Sequence, residues 1–380
     1  MNIKILAAES LGVRGLCCSV ELENRRIVID PGIALGWQRH GFLPHPFQVA
    51  VGARARRAII EELKGATDVV ISHFHGDHCP LYNPNPYQLG IEPVKDSLSN
   101  CRIFAKSADD CRFVHQRRRE ALALATGKEL PGAEGKTEEF LEFSFPVPHG
   151  KKGKNENTVM MSRIEGRGEV FVHASDIQLL DEQTIQQILD WSPDIVLASG
   201  PPLYRFSRTS ETQRDRAWNN AIQLAKGVDT LIIDHHLLRS EQGAQWLSEL
   251  SRFTENRVLS AAAFMRREPV LLEAWRKELY EWLPVNRDWH REYEQGKSSC
   301  DHYRIKGWET IVDRAKISAC RWYHCCPIKR FTEQGRLDRY WIENYCLVGN
   351  KDCIRFKMEE KGEYHPDNML PNGEIRTSLK

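Results

Sequence analysis

His73, His75, Asp77 and His78 lie within six residues of the sequence. Imidazole nitrogen and carboxylate oxygen are the ligands that divalent zinc, iron and manganese prefer in proteins. His73 and His75 are two residues apart, so on an extended backbone their side chains point the same way. Gly76 lets the chain turn, and Asp77 and His78 can then offer a second pair of ligand atoms. The spacing predicts a segment that holds two adjacent metal ions.

Alternating strand-like and helix-like segments surround this cluster. Residues 67–72, with the apolar run 69–71, predict a strand that leads into His73, and short strands are also predicted before His149, Asp176 and His235. Strand ends gather at one edge of a sheet in α/β folds, so we expect these residues to lie together. Strands are predicted at 3–7, 18–22, 26–29, 67–72, 103–105, 140–145, 158–164, 169–173, 194–198 and 230–233, and helices at 49–63, 109–126, 178–191 and 210–226, with 241–283 mostly helical.

The overall composition excludes some classes of partner. The 380 residues include 53 basic and 52 acidic side chains, a balance that predicts neither a nucleic-acid nor a membrane partner. No apolar stretch reaches the roughly 18 residues that cross a bilayer, and the first residues lack the pattern of a signal peptide. We therefore expect a cytoplasmic protein, in which the eleven cysteines are reduced thiols or metal ligands rather than disulfides.

The ligand-type residues occur in a fixed order, in which two clustered pairs are followed by a histidine, an aspartate and a histidine. In this order the chain resembles the metallo-β-lactamase-fold superfamily over about residues 1–285. The resemblance implies an α/β fold, a four-layer αββα sandwich with a two-metal site along one edge. It also implies the ligands. The first metal would be held by His73, His75 and His149, the second by Asp77, His78 and His235, and Asp176 would bridge both.

Three further stretches, at 9–14, 29–36 and 234–239, are similar to a largely archaeal branch of that superfamily. In the second stretch, Asp30 matches an early aspartate that supports the site without binding a metal. Such a carboxylate fixes the tautomer and ring angle of a ligand histidine, so the implied role is chemically reasonable. The branch implies the fold and the site but no particular substrate.

His235 and His236 are adjacent, and the sequence leaves open which of them binds metal. On a strand they would point to opposite sides, so only one would be a ligand. A small polar residue closes the strand before the ligand, as Ser72 precedes His73, and Asp234 precedes His235 in the same way. We predict that His235 is the ligand and that His236 lies behind the ligands or faces the substrate.

These features predict a metal-dependent hydrolase. Two divalent ions, zinc in first place and iron or manganese as alternatives, would lower the pKa of a shared water, and Asp77 would orient that water and carry its proton. Basic residues favour a phosphodiester or another anionic ester, in a small molecule or a nucleic acid. The basic residues near the motifs are Lys151, Lys152, Lys154, Arg205 and Arg208. The insert between His78 and His149 could cover the site, and it contains Tyr82, Tyr87, Arg112, His115 and Arg117–Arg119.

The last part of the chain has a different character. Residues 286–299 are polar and predict a linker, and residues 300–380 contain six of the eleven cysteines. We predict a small cysteine-rich domain there that binds either a structural zinc or an iron–sulfur cluster. The alternative is that cysteine serves only as a small apolar core residue. The predicted ligands are Cys320, Cys326, Cys346 and Cys353.

Two other functions stay open from the sequence alone. One is a di-iron redox protein in which a C-terminal cluster relays electrons, although no flavodoxin-like domain accompanies the site. The other is a nucleic-acid-binding adaptor with a structural metal site, although ligand-type residues are present at every motif.

Overall fold

A computed structural model describes residues 1–107, 112–150, 157–206, 211–255, 257–314 and 317–379. Its first sheet has five strands in sequence order, antiparallel from the first to the third and parallel from the third to the fifth. The strands are β1 (Asn2–Ala7), β2 (Cys17–Leu22), β3 (Arg25–Ile29), β4 (Asp68–Ile71) and β5 (Arg102–Ala105).

The second half of the strands forms a seven-stranded sheet and a separate two-stranded pair. These strands are β6 (Thr137–Glu138), β7 (Leu141–Phe143), β8 (Val147–Pro148), β9 (Thr158–Val159), β10 (Ser162–Gly166), β11 (Glu169–His173), β12 (Ile195–Ala198), β13 (Thr230–Ile233) and β14 (Val258–Leu259). The sheet order is β14-β13-β12-β11-β10-β7-β6, parallel from β11 to β14, while β8 pairs only with β9.

The two sheets pack face to face through the side chains that alternate along each strand. In β4, Val70 belongs to the apolar layer between the sheets, while Val69 and Ile71 belong to the layer that faces the helices. This is the alternation that a pleated strand buried on both faces requires. Phe104 of the first sheet and Phe143 of the second meet with ring centroids 5.2 Å apart.

Helices cover the outer faces of both sheets, and the four-layer αββα sandwich predicted from the sequence is confirmed. Of the helices in the described ranges, none is long and apolar enough to cross a membrane. The helices are α1 (Pro46–Lys64), α2 (Lys95–Asn100), α3 (Phe113–Thr126), α4 (Glu182–Asp190), α5 (Glu211–Lys226), α6 (Glu241–Phe253), α7 (Ala261–Phe264), α8 (Arg276–Trp282), α9 (Trp289–Glu294), α10 (Asp301–Asp313), α11 (Pro327–Glu333) and α12 (Ile354–Lys361).

Two elements differ from the sequence prediction. The strand predicted at 158–164 is two strands, because β9 pairs with β8 and β10 pairs with β7 and β11. The region 241–283, predicted as mostly helical, also contributes β14 to the edge of the second sheet. β14 has two residues, which is too short to show the alternation by which a strand is recognised.

The predicted linker and the cysteine-containing region pack against the sandwich. Residues 286–299 contain α9, and Trp289 in that helix is buried. Helix α10 packs on α1, where the rings of Phe47 and Trp308 meet edge to face with centroids 5.1 Å apart. The domain limits of 1–285, 286–299 and 300–380 stay a prediction.

Gly307 allows this close approach, and replacing it tests the packing of α10 on α1. A Cβ at Gly307 would lie 2.3 Å from ring carbons of Phe47. We expect Gly307→Ala to lower the free energy of unfolding by about 1–3 kcal/mol, because the added methyl overpacks the contact. The measurement is urea unfolding of the full chain.

Gly52 provides the matched control, because it also lies inside a helix. A Cβ there would meet Leu35 at 3.6 Å, an ordinary contact. Gly52→Ala should raise the free energy of unfolding by about 0.5–1 kcal/mol through helix propensity alone. Equal stabilisation by both substitutions would contradict the described packing.

Candidate metal centre

The predicted ligand residues follow the carboxyl ends of strands, and the structure brings them together at one edge of the sandwich. Because β3 and β4 are parallel, and β11 to β13 are parallel, their carboxyl ends lie side by side within each sheet. Strand β3 is followed by Asp30, and β4 is followed by His73, His75, Asp77 and His78. Strand β8 is followed by His149, β11 by Asp176, and β13 by His235 and His236.

One oxygen of the buried Asp176 carboxylate faces the residues expected to hold the first metal. Its Oδ2 lies 3.0 Å from Nε2 of His149 and 3.4 Å from Nε2 of His73. The Nδ1 of His75 lies 3.7 Å from the same oxygen. All four ligand atoms lie within 4.8 Å of one another, so small shifts of these side chains could place them around one metal ion.

The other oxygen of Asp176 faces the residues expected to hold the second metal. Its Oδ1 lies 3.1 Å from Nε2 of His78 and 3.5 Å from Nε2 of His235. Asp77 completes this group, since its Oδ2 lies 3.4 Å from Nε2 of His235. The ligand atoms of Asp77, His78 and His235 also lie within 4.8 Å of one another. Asp176 therefore stands between the two groups, as a bridging carboxylate would.

The prediction that His235 and His236 point to opposite sides is wrong. Both lie in a turn beyond the end of β13, so strand alternation does not apply to them, and their rings lie nearly parallel. Nε2 of His236 is 3.4 Å from Oδ2 of Asp176, while Oγ of Ser199 is 2.9 Å from its Nδ1. His236 thus faces the bridging carboxylate as well. That His235 is the metal ligand stays a prediction.

Asp30 lies behind the ligands and accepts hydrogen bonds from three residues. The backbone N–H of Ser72 donates to Oδ1 at 2.8 Å, and the Ser72 hydroxyl donates to Oδ2 at 2.6 Å. The Ser175 hydroxyl also donates to Oδ2, at 2.8 Å. Nδ1 of His78 lies 2.8 Å from the same oxygen, which leaves Nε2 directed at Asp176. This is the supporting role that the resemblance implies for Asp30.

The charges of the site suit a group of cations. Burial opposes ionisation of Asp176, but the charges of His78, His236 and His235 outweigh it and hold the pKa of this carboxyl well below its usual range. Burial also opposes protonation of His78, yet Asp176 and Asp30 raise its pKa well above the usual value. The buried cluster is therefore stabilised by positive charge, which metal ions would supply in place of protons.

Two further observations fit a metal. Among the described residues, Oδ1 of Asp176 is buried and has no hydrogen bond of good geometry, although imidazole nitrogens lie close to it. Burial first, and the neighbouring His78 and His75 next, lower the pKa of His73 to about 3. Burial and Arg239 lower the pKa of His235 to about 4. The lowered pKa values keep His73 and His235 neutral, which is the form of histidine that binds zinc.

Arg239 and Glu9 lie in the site although sequence reasoning gave them no role. Nη2 of Arg239 is 2.7 Å from Nε2 of His235 and 3.6 Å from Oδ2 of Asp77. Nε of Arg239 donates to Oε1 of Glu9 at 2.8 Å, and both side chains are buried. Burial raises the pKa of Glu9 to about 8, and Arg239 acts against that rise. The available signal was position, since Arg239 is four residues after His235.

The insert between His78 and His149 lies beside the site. The ring of His115, at the start of α3, packs against that of His75 with centroids 4.9 Å apart. Arg118 donates to the backbone oxygen of Phe74 at 2.8 Å, and it also lines a cavity of about 870 Å³ with Tyr82 and Arg117. Of the other residues named from the sequence, Tyr87 is buried and Arg112 is exposed. Arg119 donates to the backbone oxygen of Leu130, and Arg205 lies over the ring of Tyr204. The remaining four lie outside the described residues, namely Lys151, Lys152, Lys154 and Arg208.

The cysteines fall into two groups. Cys79, next to the metal centre, is buried, its thiol donates to the backbone oxygen of His75, and burial raises its pKa to about 12. It therefore behaves as a small core residue. The four cysteines predicted as ligands in the C-terminal region line one cavity, together with Cys325, and all are free thiols. They are Cys320, Cys326, Cys346 and Cys353.

Replacing Asp30 tests whether it orients the ligands. An amide in Asp30→Asn would direct N–H groups at donors that now bond a carboxylate. We expect zinc affinity to fall about 10- to 100-fold, because the rings of the ligand histidines lose their support. Zinc binding is measured by competition with a chromophoric chelator.

Asp68 supplies the control, since it is a buried carboxylate at the opposite end of β4. It accepts hydrogen bonds from Arg25 and Arg102 and contacts no ligand of the metal centre. Asp68→Asn should destabilise the fold but leave zinc affinity within about 2-fold of the parent, because it acts only on β4 and its neighbours. An equal loss of affinity in both variants would show that Asp30 acts through stability alone.

The chain is similar to several archaeal proteins of one family. It is 47% identical over 305 residues to a UPF0282 protein of Methanosarcina mazei, which covers 80% of this chain and all of the relative. UPF0282 proteins of Pyrococcus furiosus and Pyrococcus abyssi are 34% and 33% identical, over 74% of this chain and over 93% and 92% of their own lengths. No protein-family model matches the chain.

Solved structures of the metallo-β-lactamase fold are also similar, at low identity. The fold protein YhfI of Bacillus subtilis has a TM-score of 0.42 and 12% identity, covering 68% of this chain and 95% of its own. Zinc-bound PqqB of Methylobacterium extorquens has a TM-score of 0.40 and 10% identity, covering 68% and 97%. By its identity to the archaeal relatives, the chain belongs to the UPF0282 family.

Proposed function

We propose that the protein is a hydrolase that uses two divalent metal ions to cleave an anionic ester, with a phosphodiester as the first candidate. The observation that carries the proposal is the convergence of two ligand groups on the two oxygens of one buried carboxylate, Asp176. His73, His75 and His149 would hold one ion, Asp77, His78 and His235 the other, and Asp176 would bridge them. When bound, such ions lower the pKa of a water towards neutrality and stabilise negative charge that develops on the substrate.

Asp77 is the residue that would orient the attacking water. Burial opposes its ionisation, but the hydrogen bond with His235 and the charges of His78, His235 and Arg239 hold the pKa of Asp77 well below its usual range. An ionised carboxylate accepts hydrogen bonds only, so it can align a water, and it would take the proton of that water once bound metal ions have lowered the pKa of the water. Asp77 is also less buried than the other carboxylates of the site, with 18% of its side chain exposed, so a substrate can reach it.

Arg239 supports an anionic substrate. A buried guanidinium is stable only when anionic or polar groups surround it, and Glu9 occupies only its Nε. Its Nη2 lies beside Asp77 and His235, where the reacting group would sit, and its Nη1 lies 3.5 Å from the hydroxyl of Tyr204. A planar fork of donors at this place matches the oxygens of a phosphate or carboxylate.

Arg118 supports a substrate that extends beyond the reacting bond. It donates to the backbone of Phe74, between two of the predicted ligands, and it lines the 870 Å³ cavity of the insert. Lys95 and Arg117 line the same cavity, so it presents positive charge to a ligand, partly balanced by Glu92 and Glu120. A cavity of this size accommodates a small molecule or a few nucleotides.

Metal content tests the ligand assignment. We expect the zinc-loaded chain to hold about two ions, and His75→Ala to hold about one or fewer, because the first group loses a ligand and the bridging carboxylate loses a neighbour. The measurement is elemental analysis of the dialysed protein, with folding followed by circular dichroism.

His40→Asn is the matched control for the loss of an imidazole. His40 is exposed and has a φ of 51°, which asparagine tolerates better than most residues. This variant should keep the parent's zinc content. If His75→Ala also kept it while folded, the proposed ligand set would be wrong.

Activity on model substrates tests the reaction and its anionic preference. We expect the zinc-loaded protein to hydrolyse bis-p-nitrophenyl phosphate, and Asp77→Asn to lower kcat by about 100-fold or more because no group then accepts the proton. Arg239→Gln should lower kcat/KM for the phosphodiester by about 10-fold or more, through the loss of charge-assisted hydrogen bonds.

Exposed Arg291 on α9 serves as the control for the arginine substitution, since 68% of its side chain is exposed and, among the described residues, its ion pair is with Asp288. Arg291→Gln should leave both kinetic constants unchanged. A neutral lactone and a thioester complete the panel. Hydrolysis of the lactone alone would contradict the anionic substrate, and activity on none of them with two zinc ions bound would contradict a hydrolase.

A further inference from the structure

Four cysteines from separate places in the C-terminal region line a single cavity, away from the metal centre. Cys320 lies in the loop after α10, and its backbone N–H donates to the oxygen of Cys346 at 2.7 Å. Cys346 ends a π-helical turn, Ile342–Cys346, a rare conformation that often occurs at functional sites. Cys326 precedes α11 and Cys353 precedes α12. The fold thus brings together four thiols that are up to 33 residues apart in sequence.

The spacing of the sulfur atoms does not suit a single zinc ion. Four thiolates that bind one zinc at about 2.3 Å in a tetrahedron lie about 3.8 Å from each other. Here, within the described residues, no three of the four sulfurs all lie within 4.8 Å of one another. In an iron–sulfur cluster at most two cysteines bind the same iron, so three sulfurs do not come together. The absence of such a group of three is compatible with a cluster.

The cavity has room for more than an ion. Its volume is about 70 Å³, whereas a single water needs about 10–15 Å³ of such space. A cavity of this size between four thiols fits a polyatomic group that includes its own bridging atoms.

Two buried donors on the wall of the cavity have no acceptor. Nε1 of Trp322 and Nε of Arg355 are buried and, within the described part of the chain, make no hydrogen bond. Buried N–H groups without a partner are uncommon, because each costs about 1–3 kcal/mol. Arg355 is 4% exposed and its Nη1 is taken by backbone oxygens, including that of Pro366. Its positive charge would balance an anionic ligand in the cavity.

We propose that this cavity binds an iron–sulfur cluster whose irons are held by Cys320, Cys326, Cys346 and Cys353. The thiolates bind the irons, and the sulfides or thiolates accept the hydrogen bonds that Trp322 Nε1 and Arg355 Nε lack. A cluster with four thiolate ligands is anionic, so the buried Arg355 guanidinium stabilises it. The site shares no residue with the metal centre and does not depend on the proposed hydrolase.

Cys325 also lines the cavity but does not belong to the ligand set. Its side chain is exposed, and its thiol donates to the backbone oxygen of Trp322 at 3.3 Å. Cys326, the next residue, is partly buried on the cavity wall. The pair provides a matched test, because both substitutions remove one thiol at the same place in the chain.

The experiment is anaerobic reconstitution of the full chain with ferrous iron and sulfide, followed by desalting. We expect acid-labile sulfide at about two or four ions per chain and a broad visible absorption that bleaches on reduction. Sulfide is the deciding readout, because the histidine and aspartate centre can bind iron but not sulfide. Folded protein that holds zinc in this cavity and no sulfide would overturn the proposal.

Single substitutions identify the ligands. Cys326→Ser and Cys346→Ser should lose most of the sulfide, and Cys325→Ser should keep the parent's content. Retention by Cys326→Ser and Cys346→Ser would overturn the ligand set. Trp322→Phe should keep the sulfide but shift the reduction potential to a lower value, because a hydrogen bond to sulfur stabilises the reduced, more negative cluster. If a serine variant does not fold, the sulfide content of the wild-type chain still decides the proposal.

Discussion

The metal centre depends on one buried carboxylate, that of Asp30. An ionised carboxylate is stable inside a protein only if donors surround it, and burial here is outweighed by the hydrogen bond and charge of His78, so that the pKa of Asp30 is about 2. Its donors come from the ends of strands in both sheets, Ser72 after β4 and Ser175 after β11. Each donor is next to a ligand-type residue, His73 and Asp176. The same interaction therefore joins the two sheets and sets the distance between the ligands.

Asp234 has the same function on the other side of the site. It is buried and accepts hydrogen bonds from the backbone and hydroxyl of Ser10 and from the backbone of Ala261. These bonds hold the segment after β13 against the N-terminal segment and α7, so the chain turns directly after Asp234. The turn directs both His235 and His236 towards Asp176. The buried carboxylates Asp30 and Asp234, at the ends of β3 and β13, thus explain why candidate ligand residues from distant parts of the sequence are held together.

Local pattern explains which parts of the molecule could be predicted from the sequence. Apolar runs of strand length and helical periodicity predict the alternation of strands and helices, whereas the αββα layering comes from the family resemblance. The candidate ligand residues are found from residue type at strand ends. The directions of His235 and His236 depend on a turn that Asp234 stabilises through Ser10, 224 residues away, and such contacts leave no periodic signal. The position of Arg239 beside Asp77 depends in the same way on Glu9, 230 residues away.

In the proposed hydrolase, the contact between Arg239 and His235 would link metal binding to substrate binding. Nη2 of Arg239 lies 2.7 Å from Nε2 of His235, so a metal ion bound to that nitrogen could not be accommodated with the guanidinium in its present place. Repulsion between the Arg239 guanidinium and a metal ion held by Asp77, His78 and His235 would also move Nη2 of Arg239 away from His235. Glu9 would still hold Nε, so the side chain would pivot about that bond rather than leave. The donors released in this way lie beside Asp77, where an anionic oxygen of the substrate is the partner that remains for them.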